Sequence, residues 1–144
     1  MPAWVVAAFD DYAKRMPREL AIDLVELKPE ARDRGKQVPQ MLSTEATRIR
    51  AACGAAQIVA LDERGAAWTT RELAQRLRAW QAEAQDVAFV IGSADGLDPA
   101  LKREALAQVA LSAMTLPHGL VRVMLAEQLY RAASLNAGHP YHRE

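Results

Sequence analysis

Apolar residues in this chain switch between helical and strand spacing several times. Trp4, Val5, Ala8, Phe9 and Tyr12 recur at three- and four-residue intervals, with Asp10, Asp11, Lys14 and Arg15 on the other side. That spacing predicts an amphipathic helix, and Pro2 suits its first turn. The run AIDLVEL at 21–27 reads as a strand, and KPEARDRGKQ after it as a charged loop containing Gly35. A helix is predicted over 38–53, closed by Gly54. QIVAL at 57–61 and VAFVI at 87–91 are short, continuous apolar runs, the pattern of strands covered on both faces. DERGAAW reads as a loop. Thr69 and Glu72 then form a capping box for a helix carrying Leu73, Leu77 and Trp80. GSADGL interrupts the chain after the second buried run, and Asp98 and Pro99 open another helix. VALSAM at 109–114 is a third apolar run, TLPHG turns the chain, and the last helix spans 120–135.

Strands alternating with helices predict an α/β fold with a largely parallel sheet, in one domain over 1–144. The last helix is unusual. Leu120, Val121, Val123, Met124, Leu125, Leu129, Tyr130 and Leu135 cover most of its circumference, with Arg122 alone among them and Glu127 paired to Arg131 on a narrow polar stripe. A helix apolar nearly all round must bury a second face, which predicts a homodimer.

Charge and cysteine content narrow the function classes. Acids and bases cancel, 18 against 18, so any nucleic-acid affinity must come from a local patch, a dimer or a partner surface. The single cysteine, Cys53, rules out an internal disulfide and a Cys-rich metal site, and fits a reducing, cytoplasmic setting. The first twenty residues read as neither a secretion signal nor a membrane span.

In a parallel sheet, ligands bind beyond the carboxyl ends of the strands. Those ends fall at Leu61-Asp62, at Gly92-Ser93 and in the segment 111–116. IGSADGL reads either as an ordinary strand-to-helix turn or as glycines that let backbone pass close to a ligand, and no GxGxxG or GxxxxGK[ST] phosphate pattern is present. His118, between Pro117 and Gly119, reads as a surface or capping histidine. A hydrolase triad of Ser112, His118 and Asp62 lacks a GxSxG elbow. His118, His139 and His142 lack metal-ligand spacing, so no metal is expected. Lys28, Arg32, Arg34 and Lys36 are either a solvated loop or a phosphate contact. The end of the chain, GHPYHRE, places His139, Tyr141, His142 and Arg143 after Gly138 and Pro140, which set a fixed non-helical path. An aromatic there needs something to pack on.

IGSADGL, LSAMTLPHGLVRVMLAEQLYRA and HPYHRE together resemble the bacterial 23S rRNA pseudouridine N3-methyltransferases, the RlmH family of the SPOUT class. The resemblance spans the chain and is strongest over 87–144. It implies a SPOUT α/β fold with a C-terminal trefoil knot and a homodimer joined through the last helix. It also implies S-adenosylmethionine held by Leu61, Gly92, Leu111, Ser112, Ala113, Met114, Thr115 and Leu116. The implied substrate is a pseudouridine in helix 69 of 23S rRNA within the assembled ribosome. The tail would lie over the methyl donor, partly on the neighbouring subunit, with His142 or His139 accepting the N3 proton, Arg143 steadying an oxygen or a phosphate, and Tyr141 positioning the flipped base.

Two departures from the family pattern stand out. The family normally opens with a hydrophobic strand ahead of the helix that starts here at Pro2, so the sheet is expected to lack that first strand. Ser93 replaces the second glycine of the family's G-G-[PA]-x-G loop, which is expected to stiffen it. Two other readings stay open from sequence: a shortened, dimeric family member that binds S-adenosylmethionine without turnover, and a flavodoxin-like nucleotide-binding module.

Overall fold

A computed structural model describes residues 1–32 and 35–143, leaving out Asp33, Arg34, Glu144 and the side chains of His142 and Arg143. Five helices and three strands follow in the order α1 (Ala3–Ala13), α2 (Val38–Cys53), β1 (Gln57–Ala67), α3 (Thr70–Ala82), β2 (Val87–Ile91), α4 (Pro99–Glu104), β3 (Ala107–Ala110) and α5 (His118–Asn136). Short 3-10 turns lie at Arg18–Leu20 and Pro140–Arg143. The strands form one parallel sheet in the order β2-β1-β3.

Side-chain alternation along the strands assigns helices to the two faces. Val59 joins Leu73, Leu77, Trp80, Val109 and Leu129 in a core beneath α3 and α5. Its neighbour Ala60 joins Ala46, Val90, Leu97 and Leu101 beneath α2 and α4. Both faces are therefore covered, which is why these strands read as unbroken apolar runs. The predicted caps form. Thr69 accepts from the Glu72 amide while Glu72 accepts from the Thr69 amide, and Asp98 accepts from the amides of Ala100 and Leu101.

Three expectations change. The segment 21–27 pairs with no strand; Leu24, Val25 and Leu27 are exposed, and the segment is held through its side chains, with Ile22 against the core and Glu26 on Arg122. Apolar content suited it to a strand, but no described sheet edge receives it. DERGAAW is not a loop throughout, because β1 continues to Ala67. Leu61 and Ala66 both lie opposite Val109, so residues 62–65 bulge out and the strand resumes at the same height on β3. Gly65 permits the return: a Cβ there would lie 2.6 Å from the backbone of Gln108 and Val109. Finally, β3 starts two residues before the apolar run read from sequence, so 111–116 is a loop.

The second face of α5 is covered in part within the chain, by α1. Tyr12 approaches Tyr130 with ring centroids 6.5 Å apart, and Val5 packs where a Cβ on Gly119 would stand. The outer side of α1 leaves Trp4 and Val6 exposed.

Candidate functional site

The three segments singled out from sequence emerge together. Leu61 lies opposite Ile91 of β2 and Val109 of β3, so Gly92 leaves the sheet just past its level and Leu111 soon after, once Ala110 has paired with Ala67. Gly92 begins a tight loop in which the Gly96 amide donates to the Ser93 carbonyl and Gly96 takes φ +84°. A Cβ on Gly92 would sit 2.5 Å from the Gly96 backbone, so both glycines are dictated by the fold-back. In the third segment the Ser112 hydroxyl accepts from the Met114 amide, and Thr115 donates to Glu63 at 2.7 Å, tying the loop to the bulge of β1. Leu111 is half-buried against the core, whereas Met114 is 76% exposed. His118 opens α5 with its Nδ1 3.0 Å from the Gly92 carbonyl, which makes that nitrogen the protonated donor. A hydrolase triad is absent: Asp62 is bound by Lys102 at 2.8 Å, and Ser112 is occupied by its own loop.

At these strand ends lies a mainly apolar cleft of about 70 Å³, walled by Leu61, Trp68, Phe89, Leu111 and Gln128 among others. The Thr70 hydroxyl donates to the Gln128 side-chain amide oxygen Oε1 at 2.7 Å, and the Arg76 guanidinium lies 4.1 Å over the Trp68 ring. Sequence reasoning reached Leu61 and Leu111 but missed Trp68 and Gln128; the position of Trp68 immediately before a capping box was the available signal.

A polar network braces the glycine loop from behind. Glu45 of α2, 8% exposed, accepts from the Glu30 amide (2.8 Å), the Ser93 hydroxyl (2.9 Å) and the Arg32 guanidinium (3.0 Å). Arg32 also donates to Ser93 and to Asp95. Burial pushes the Glu45 carboxyl up, but the three hydrogen bonds outweigh it and hold the group below its ordinary value. Arg32 is thus a clamp on the loop rather than an open phosphate contact, and Lys36 sits on Glu30. Arg34 lies outside the described residues. The Ser93 hydroxyl is consumed in joining three segments.

The tail follows a defined path. The Gly138 amide donates to the Leu135 carbonyl and the His139 amide to the Ser134 carbonyl, a Schellman cap with Gly138 at φ +72°. Tyr141 packs on Tyr130 with centroids 4.7 Å apart, and the Arg131 guanidinium lies 5.0 Å from its ring. Burial, with a hydrogen bond to Tyr12, pushes the Tyr141 phenol up to about 12. His139 Nδ1 accepts from the Tyr141 amide at 3.2 Å. The side chains of His142 and Arg143, and all of Glu144, lie outside the described residues. Tyr130 is twelve residues along α5 from His118, roughly 18 Å at 1.5 Å per residue. Within one chain, therefore, the described part of the tail and the strand ends occupy opposite ends of α5.

The family described as Predicted SPOUT methyltransferase matches residues 1–142. The chain belongs to the SPOUT methyltransferases. It is 58% identical to the Ribosomal RNA large subunit methyltransferase H of Nitrosospira multiformis, over 99% of this chain and 92% of that protein. Proteins of the same name from Burkholderia ambifaria and Burkholderia multivorans match at 58% with the same coverage. In this SPOUT methyltransferase the expected donor-contact residues Leu61, Gly92 and Leu111 to Leu116 lie at one end of the sheet. The tail residues His139 and Tyr141 do not join them within one protomer. No described helix is long and apolar enough to cross a membrane.

Proposed function

We propose that this chain methylates N3 of a pseudouridine in helix 69 of 23S rRNA, in the assembled ribosome, using S-adenosylmethionine. It would act in the cytoplasm as a homodimer of single-domain subunits, without a metal. The convergence of Leu61, Gly92 and Leu111 at one sheet edge, in a chain matched nearly end to end by a methyltransferase family, carries this reading. The residues present fit such a donor. Leu61 and Leu111 of the donor set wall the apolar cleft, and none of the donor-contact residues carries a charge that would repel a cationic sulfur. When bound, S-adenosylmethionine supplies a methyl group activated by a positively charged sulfur and open to in-line displacement.

The remaining work falls to the protein. Gly92 and the run Leu111, Ser112, Ala113, Met114, Thr115 and Leu116 hold the donor, while His118 fixes the Gly92 carbonyl and Glu45 fixes Ser93 behind it. Such pre-set geometry supplies much of the rate in a displacement. N3 is an imide nitrogen that keeps its proton at neutral pH and must lose it to attack. His139 accepts from the Tyr141 amide through Nδ1, which leaves Nε2 for other contacts. His142 or His139 would accept that proton, with Arg143 steadying the developing charge on a carbonyl oxygen or a neighbouring phosphate. Tyr141, kept protonated by burial, positions the tail and the target base rather than removing a proton. Because one chain holds its tail at the far end of α5, the tail completing each site comes from the partner subunit.

Methyl transfer to ribosomes lacking the modification tests the whole reading. His142→Ala and Arg143→Ala should slow transfer while donor affinity stays largely unchanged; normal turnover in both would remove the tail from catalysis. Mixing a Gly92→Ala subunit with a His142→Ala subunit should restore transfer through the one intact composite site. No restoration, with both variants still dimeric, would reject the shared site.

A further inference from the structure

Six of the 14 arginines of this neutral protein are engaged by its own acids among the described residues. Arg15, Arg32, Arg48, Arg50, Arg122 and Arg131 each sit on a carboxylate. Helix α3 gathers three that are not. Its Arg71, Arg76 and Arg78 are exposed, and among the described residues none has a carboxylate partner. The one acid on the helix, Glu72, is committed to the capping box. Arg76 lies on Trp68, and Arg78 makes two long contacts, 3.4 and 3.5 Å, to Asn136.

At 3.6 residues per turn, Arg71, Gln75 and Arg78 share one stripe. That stripe faces away from the buried Leu73, Leu77 and Trp80. It begins within two residues of Thr69, which lines the cleft at the strand ends, and runs to Asn136, the last residue of α5 before the tail. It therefore runs from the strand ends of one protomer's site to the tail that the same protomer would lend to its partner's site. A row of like charges repels itself and adds nothing to the fold, but it complements a polyanion. Phosphate contacts of this kind set register and orientation, leaving base choice to the site.

We propose that Arg71 and Arg78, with Gln75 between them, seat phosphates of the rRNA substrate along α3 and so deliver the target nucleotide to the strand ends. This rests on the rRNA methylation reading and names the surface through which that substrate docks. The test is an Arg71→Gln/Arg78→Gln double variant, assayed on ribosomes lacking the modification across ribosome and KCl concentrations. The KM for ribosomes should rise about tenfold or more, kcat at saturation should stay within about twofold, and the log–log salt slope should shrink by roughly 1.5 to 2. Arg103→Gln, an unpaired arginine on α4 across the sheet, should leave all three unchanged, and melting temperatures should match. An unchanged KM and salt slope in the double variant, or an equal shift in Arg103→Gln, would overturn the proposal. If the wild type transfers no methyl group, the functional reading fails separately. Filter binding of the wild type and the double variant to the same ribosomes then decides, equal affinity sinking the stripe.

Discussion

Glu45 shows how little a single letter reveals about a buried role. In sequence it is one of 18 acids; in the fold its carboxylate gathers Glu30, Arg32 and Ser93 from two separate loops. Glu45→Gln should cost about 1–2 kcal/mol at neutral pH, read as a lower urea midpoint. The sign of its pH dependence is fixed. The folded carboxyl titrates below its ordinary value of 4.5, so its contribution is complete at neutral pH and fades as pH falls through the folded value. The Gln variant should therefore lose less stability than the wild type between pH about 5 and 3. Tyr141 offers a spectroscopic check. Absorbance titration should reveal a phenol ionising near pH 12 that vanishes in Tyr141→Phe. Its need for a packing partner was legible from position alone, whereas the identity of that partner, Tyr130, was not: the two rings meet only because Gly138 turns the chain back on α5.

Elements marked by local chemistry were legible with little error. Helix α2 ends at Cys53 before Gly54, α3 begins after Thr69, and α4 opens on Asp98 and Pro99, because caps and helix-stopping glycines act over a few residues. The failures needed knowledge of distant backbone. Nothing in DERGAAW announces that a strand resumes after a four-residue bulge, since the return depends on how closely Gly65 approaches β3. Likewise, AIDLVEL has strand composition but no paired edge. Gly65→Ala should be far more damaging than Gly138→Ala. The first drives a Cβ into backbone at 2.6 Å and should sharply lower the thermal midpoint. The second meets open space and carries only the left-handed φ penalty, about 1 kcal/mol. Equal melting temperatures would show that the bulge can relax.

At the scale of the whole molecule, the three segments that leave the strand ends were readable because a parallel sheet sends its connections out at one end. The distance within one chain between the tail and those segments was not, since it depends on the run of α5 across the molecule. Part of the apolar surface assigned to a partner is taken by α1, leaving Trp4 and Val6 outside. Trp4→Lys should weaken the proposed dimer by sedimentation and, through the shared site, lower transfer per subunit. An unchanged association state would place the interface elsewhere. A last consequence concerns labelling. Cys53 is half-buried, and burial pushes its thiol up, so little thiolate forms near neutrality. A cysteine introduced at Met114, 76% exposed in the loop proposed to hold the donor, should outpace it with maleimide dyes. One substitution would then give a fluorescent reporter of cofactor arrival without first removing the native sulfhydryl.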